Sequence, residues 1–403
     1  MTDTDKITLI RQAMPVTQNF AYLNTGACGP LSTILDEALQ QSRAAELAEG
    51  RASMTGYKVL LQAKTDLRTA MARLVKADPQ EIALTHHTTD GMNIISHGLD
   101  WQPGDEIVTT DAEHPGGLLP VYVLRQRRGV VVRVVSITAT DSPDEIVAKL
   151  EAAITPRTRL LAFSHVTWNL GTRLALAEIV ALAHRHHVLT LVDAAQSMGA
   201  IPLDLPASGV DFYAFPGQKW LCGPEGVGGL YVRADRLSLV SPTFAGYSTI
   251  AGTGKYDTTG YFIPTAGARR FEVGSVNRSA IHAMLANLTW LEETVGWDWI
   301  HARIAHLAGY AHRTLSALPG VSVITPAGRQ AGLITFTLDG YDPARVMTRL
   351  VDEGIILRYI EHPYALRIST GFYNTEADID RLAKALQAIQ GSDPESLPEF
   401  VSL

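Results

Sequence analysis

In VLTLVDAAQSMGAIPLDLPASGVDFYAFPGQKWLCGPEGVGGLYV, residues 188–232, one apolar run ends on Asp193 and a second leads into Lys219. An acid and an amine at the ends of neighbouring strands would grip an aldehyde cofactor, the amine as a Schiff base and the acid on a protonated ring nitrogen. A lysine can attack an aldehyde only when partly neutral, which burial favours, and Phe215, Trp220 and Leu221 around Lys219 argue for burial. Asp193 after an apolar run would be a costly buried charge unless paired. The cofactor these residue types call for is pyridoxal 5'-phosphate, with Gln196 available to a ring oxygen. The glycines at 223, 226, 228 and 229 lead into a strand and not a helix, so GPEGVGG is unlike a dinucleotide loop.

Other candidates follow the same rule of position. Thr88, Thr89 and Asp90 open a helix after the strand EIALT, and free N–H groups there attract an anion such as a phosphate; simple helix capping is the alternative. His114 follows another strand and could lie on an aromatic ring, or else cap a helix or face water. His165 ends a third apolar run. Thr88, His114, His165, Asp193 and Lys219 are therefore expected in one site at the carboxyl ends of parallel strands. An amino-acid carboxylate wants a guanidinium fork, and ILRYIEHPYALRIST supplies Arg358 and Arg367, either of which could instead serve a structural ion pair. His184, His186 and His187 diverge on a helix with no carboxylate to complete a set, so no metal is expected.

The elements that must position these residues alternate strand and helix from about 80 to 232, which predicts an α/β fold with a mostly parallel sheet covered by helices on both faces. Residues 1–20 read as a lead-in helix, and residues 32–75 as two helices broken at Gly50 and Gly56. PTFAGYSTIAGTGKYDTTGYF reads as a long irregular excursion serving function or an interface. A helical region then runs to about Leu318, followed by strands at VSVIT, AGLITFTL, GIILRYI and YALRIS. The expected division is a segment 1–20 packing with the small domain, a large cofactor domain 21–265, and a linker helix with a small α+β domain 266–403.

At 403 residues the chain can bury a cofactor between two domains. Its 34 Lys+Arg and 41 Asp+Glu give a formal charge of -7 with no block of one sign, which argues against nucleic acid or a membrane as partner. Two cysteines, Cys28 and Cys222, make no disulfide framework and fit a reducing compartment. With no signal-peptide core in MTDTDKITLI and no apolar span, the expected location is cytoplasmic.

TTDGMN, AEHPG, LVDAAQS, GQKWLCGPEGVGGLYV, RFEVGS and LRISTGFYNTEADID, in that order over most of the chain, resemble the class V group of fold-type I pyridoxal phosphate enzymes, which includes cysteine desulfurases, isopenicillin N epimerase and cystine C-S lyase. The resemblance implies a seven-stranded sheet, with Lys219 as the Schiff-base lysine and Asp193 on the ring nitrogen. It puts Gln196 on the ring oxygen, His114 stacked on the ring, Thr88 and Thr89 on the phosphate, and Arg367 on the substrate carboxylate. Ser275 would reach the phosphate from the partner subunit of a homodimer. Trp168 stands where desulfurases carry a cofactor-contacting Asn, unless Asn169 substitutes, and Gln218 stands where they carry His. Tyr22, Asn24 and Tyr247 fall among the loops that set substrate choice.

The pattern Ser-x-His-Lys of the desulfurases is here Pro216-Gly217-Gln218-Lys219, and IEHPYAL ahead of Arg367 has no nucleophilic cysteine. GLDWQPGDEIVTTDAEHPG, SHVTWNLG, YAFPGQKW and the pair Arg358 and Arg367 look most like cystine C-S lyase. The expected reaction is β-elimination from cystine or a related S-substituted cysteine, with transamination or epimerisation as alternatives.

Overall fold

The computed structural model describes residues 2–252 and 254–400. Its strands are β1 Ala21–Tyr22, β2 Ile82–Thr85, β3 Glu106–Thr110, β4 Val131–Val135, β5 Thr158–Ser164, β6 Leu189–Asp193, β7 Phe212–Pro216, β8 Gly228–Val232, β9 Val321–Val323, β10 Leu333–Leu338, β11 Ile355–Ile356, β12 Arg358–Ile360 and β13 Ala365–Ser369. Seven of them form one sheet in the order β2-β8-β7-β6-β5-β3-β4. β8 alone runs against the rest, pairing antiparallel with both β2 and β7, so the α/β, mostly parallel reading holds with this one reversal.

Glycine is what β8 needs beside β7: a Cβ at Gly229 would stand 2.3 Å from the Phe215 ring, which crosses the strand there. β3, β7 and β8 are buried throughout, as strands covered on both faces must be, whereas edge strand β4 is partly exposed. The carboxyl ends of β2, β3, β5, β6 and β7 all open on one edge.

Helices lie on the sheet through apolar stripes. Thr88–Gly98 packs so closely that a Cβ at Gly91 would be 2.6 Å from Ala214 Cβ on β7. The break predicted at Gly50 is real: Gly50 ends the helix Thr33–Glu49 with φ 79°. Gly56 breaks nothing. It sits in the first turn of Met54–Leu74, donating its N–H to the capping Ser53 Oγ.

A four-stranded antiparallel sheet, β12-β13-β10-β9, follows in the carboxyl-terminal part. The helix Trp297–Ser316 joins the two cores, with Ile300 and Ile304 in the group around β5–β7 and Leu307, Ala311 and Leu315 against β10 and β13. β1 pairs in parallel with β11, and Asn24 continues the contact as a bridge to Ser369. Residues from Val240 to Gly267 form no helix or strand among the described positions, only bridges at Ile250–Pro264 and Tyr256–Phe262. Among the described residues no helix is long and apolar enough to cross a membrane.

Candidate active site

The strand ends surround a cleft of about 340 Å³ in which Thr88, Thr89, His114, Asp193, Gln196 and Lys219 meet. Trp168, Gln218, Arg358 and Arg367 complete its predicted members. Gly26 and Ala27 also line it, from the loop that follows β1.

Asp193 closes β6 with 4% of its surface exposed. Its Oδ1 accepts from the Ala195 N–H at 2.9 Å, and burial pushes the carboxyl above its usual range, against that bond and the nearby Lys219. Opposite Oδ2 lies Gly117, where even a Cβ would come within 3.3 Å. Lys219 follows β7 after a two-residue turn, and burial lowers its amine to about 8, with Asp193 opposing and Arg367 and Arg358 assisting. About a tenth of the amine is then neutral at pH 7, far more than for an ordinary lysine, as imine chemistry requires.

His114 caps the helix Pro115–Arg128, where Pro115 occupies the first position at no cost in hydrogen bonds. Its Nδ1 accepts from the Gly116 N–H at 3.0 Å, which leaves the ring proton to Nε2, and its ring meets Trp168 edge-on at 5.2 Å. Burial, then Lys219 and the two arginines, depress it to about 4, so the imidazole is neutral.

Arg367 is 1% exposed, and its Nη1 donates to the Trp168 carbonyl at 2.7 Å while Nε and Nη2 have no partner. Arg358 lies opposite it in the β12–β13 register. Three cations against one carboxylate, with an open guanidinium fork, suit an anionic ligand.

Several predicted residues lie elsewhere. His165 ends β5 as expected, but its ring turns into the core, Nδ1 2.8 Å from Tyr213 Oη, and takes no part in the cleft. Tyr22 is outside the lining, donating its hydroxyl to the Cys28 carbonyl. Asn24 is likewise outside, although its Oδ1 is buried without a partner. Asn169 does not replace Trp168, because it donates to the His362 carbonyl and accepts from the Leu170 N–H. Ser275 stands 3.3 Å from Tyr247 Oη, beside a cavity of about 290 Å³ and away from the cleft of its own chain. Among the three histidines, His184 meets Asp211 and His186 meets Glu151.

The residues present fit pyridoxal phosphate. Thr88 Oγ1 is buried without a partner at a helix N-terminus, where phosphate finds free N–H donors. Asp193 keeps one oxygen for a ring N–H. Gln196 already donates to the Gly26 carbonyl and accepts from Trp220 Nε1, so one amide hydrogen remains for a ring oxygen.

One buried group escaped the sequence reading. Glu113 accepts from the hydroxyls of Thr110 and Ser164, each at 2.6 Å. The only signal was an acid directly ahead of His114, and nothing in the sequence says which way such a side chain points.

The family model described as Aminotransferase class-V matches residues 22–382. A probable cysteine desulfurase of Mycolicibacterium paratuberculosis is 32% identical over 341 residues, 80% of this chain and 48% of the relative, so the chain spans about half that protein's length. The isopenicillin N epimerase of Streptomyces clavuligerus is 33% identical over 380 residues, covering 92% of this chain and 94% of its own. The solved structure of the cystine C-S lyase C-DES with its reaction product cysteine persulfide superposes with a TM-score of 0.88 at 35% identity, covering 93% of this chain and 98% of that one.

Proposed function

The chain belongs to the aminotransferase class-V family of pyridoxal phosphate enzymes, and on that premise we propose that it catalyses β-elimination from cystine or a related S-substituted cysteine, releasing pyruvate, ammonia and a sulfur product. One observation carries the choice of elimination over desulfuration. Between β12 and β13 the chain makes only the tight turn Glu361–Tyr364 ahead of Arg367, with no cysteine to receive sulfur from a substrate. Cys28 and Cys222 offer no substitute: burial pushes both thiols up, and Cys222 is fully enclosed. Sulfur must then leave with the departing group.

Pyridoxal phosphate, when bound, supplies the sink for electrons released at the substrate α-carbon. The open fork of Arg367 binds the α-carboxylate, with Arg358 adding charge beside it. Lys219, partly neutral, takes the α-proton. Trp168 and His114 wall the cleft, and the Nε2–H of the neutral imidazole is the donor on offer to the departing sulfur. Thr88 and Thr89 hold the phosphate, and Gln218, whose Oε1 is buried without a partner, closes the side next to Lys219.

Two copies share the site in this reading. Ser275 and Tyr247 lie among exposed Phe244 and Val273, an apolar surface suited to a second copy whose phosphate Ser275 would reach.

Incubation of the purified holoenzyme with cystine tests the reaction. Pyruvate and a persulfide in equal amounts are expected. A keto acid retaining the substrate skeleton, or racemised substrate, would replace elimination with the transaminase or epimerase alternative, the latter being the activity named for the relative from Streptomyces clavuligerus.

A further inference from the structure

Thr110 at the end of β3, Glu113, Ser164 at the end of β5 and Asp193 at the end of β6 form a buried cluster behind the cleft. Glu113 is 7% exposed, and hydroxyls of Thr110 and Ser164 hold its two oxygens in place of any cation. Ser164, which donates to Glu113, faces Asp193 in the β5–β6 register, and the charge of Asp193 acts on Glu113, a repulsion that is mutual. Two carboxyls therefore share one low-dielectric region, only one of them in contact with the cleft.

We propose that Glu113 is a positioning residue whose negative charge strengthens the hold of Asp193 on a protonated cofactor ring, so that the electron sink depends on a carboxyl that never touches it. The inference rests on the reading that Asp193 pairs with the ring nitrogen of pyridoxal phosphate.

The titratable groups around the pair are few. Lys219 faces Asp193 from beyond β7. His114, on the helix after Glu113, and His165, after β5, are pushed down by burial to about 4 and about 3 and stay neutral. Tyr213 on β7 is pushed up by burial and stays protonated. Burial raises Glu113 to about 7, against its bonds from Ser164 and Thr110, with Asp193 adding to the rise. Glu113 thus gains charge as pH passes through about 7, and that charge makes the ring proton harder to remove.

The experiment follows two signals across pH 5–9. In the apoprotein the thermal midpoint should fall as pH rises through about 7, because the folded state holds a proton that the unfolded chain releases lower. Glu113→Gln should abolish that step. In the holoprotein the visible band should titrate lower by about one unit in Glu113→Gln than in wild type. Ser164→Ala keeps the carboxyl but removes one bond to its charged form, and should move the apoprotein step upward, which preserves the test if Glu113→Gln does not fold. Wild-type protein that gains no visible band on adding pyridoxal phosphate would defeat the cofactor reading. A normal band with pH profiles identical in wild type, Glu113→Gln and Ser164→Ala would overturn the role of Glu113 alone.

Discussion

At the scale of single residues, the cleft turns a buried amine into a nucleophile by withholding water from it. Lys219→Ala should lower turnover by about 10²–10⁴-fold and leave no borohydride-fixed label on the protein. Because burial brings the amine to about 8, capture of pyridoxal phosphate by the apoprotein should accelerate as pH rises through that value and level off above it; a rate independent of pH from 7 to 9 would contradict it. Asp193 and Lys219 were legible because flanking apolar runs imply burial, and a buried charge needs a purpose. His165 was misread for a physical reason. Position after a strand says where a residue emerges, whereas the ring's direction was decided by Tyr213 on another strand.

At the scale of elements, the Thr88–Gly98 helix reaches the cleft only because Gly91 lets it settle on β7. Gly91→Ala places a methyl 2.6 Å from Ala214 Cβ, an overpacking cost of about 1–3 kcal/mol, offset by the ~1 kcal/mol alanine contributes within a helix. A lower denaturant midpoint and weaker cofactor affinity are expected together, since the same helix presents Thr88. Equal cofactor affinity in the two proteins would separate the packing from the site. Most helices and strands were readable from periodicity and turn residues. The reversal of β8 was not, since an apolar run has the same pattern in either direction, and Gly228 and Gly229 disclose their purpose only once Phe215 lies across them.

At the scale of the whole molecule, charge is spent in places remote from the cleft. Glu106 at the start of β3 accepts from Arg133, Thr155 and Arg157, and Glu376 accepts from Arg303; both carboxyls are held down at about 2, chiefly by those arginines. A carboxylate lowered on folding stabilises above its unfolded value and loses that contribution as pH falls through the folded one. Stability in urea should therefore decline between about pH 4.5 and 2, and less steeply in Glu106→Gln; an unchanged slope would remove Glu106 from the account. None of these pairings was visible in the sequence, because they join residues whose proximity depends on sheet order, and strand order leaves no trace in hydrophobic period.

The pairing of β1 with β11 also sets a schedule. Thr25, beside the loop that brings Gly26 and Ala27 to the cleft, donates to the carbonyl of Ser369, 344 positions later. At the ~5–20 residues per second of synthesis, tens of seconds separate the two partners. One wall of the site is therefore made well before the strand it bonds, so the cofactor can find a finished cleft only once Ser369 and its strand have also been synthesised.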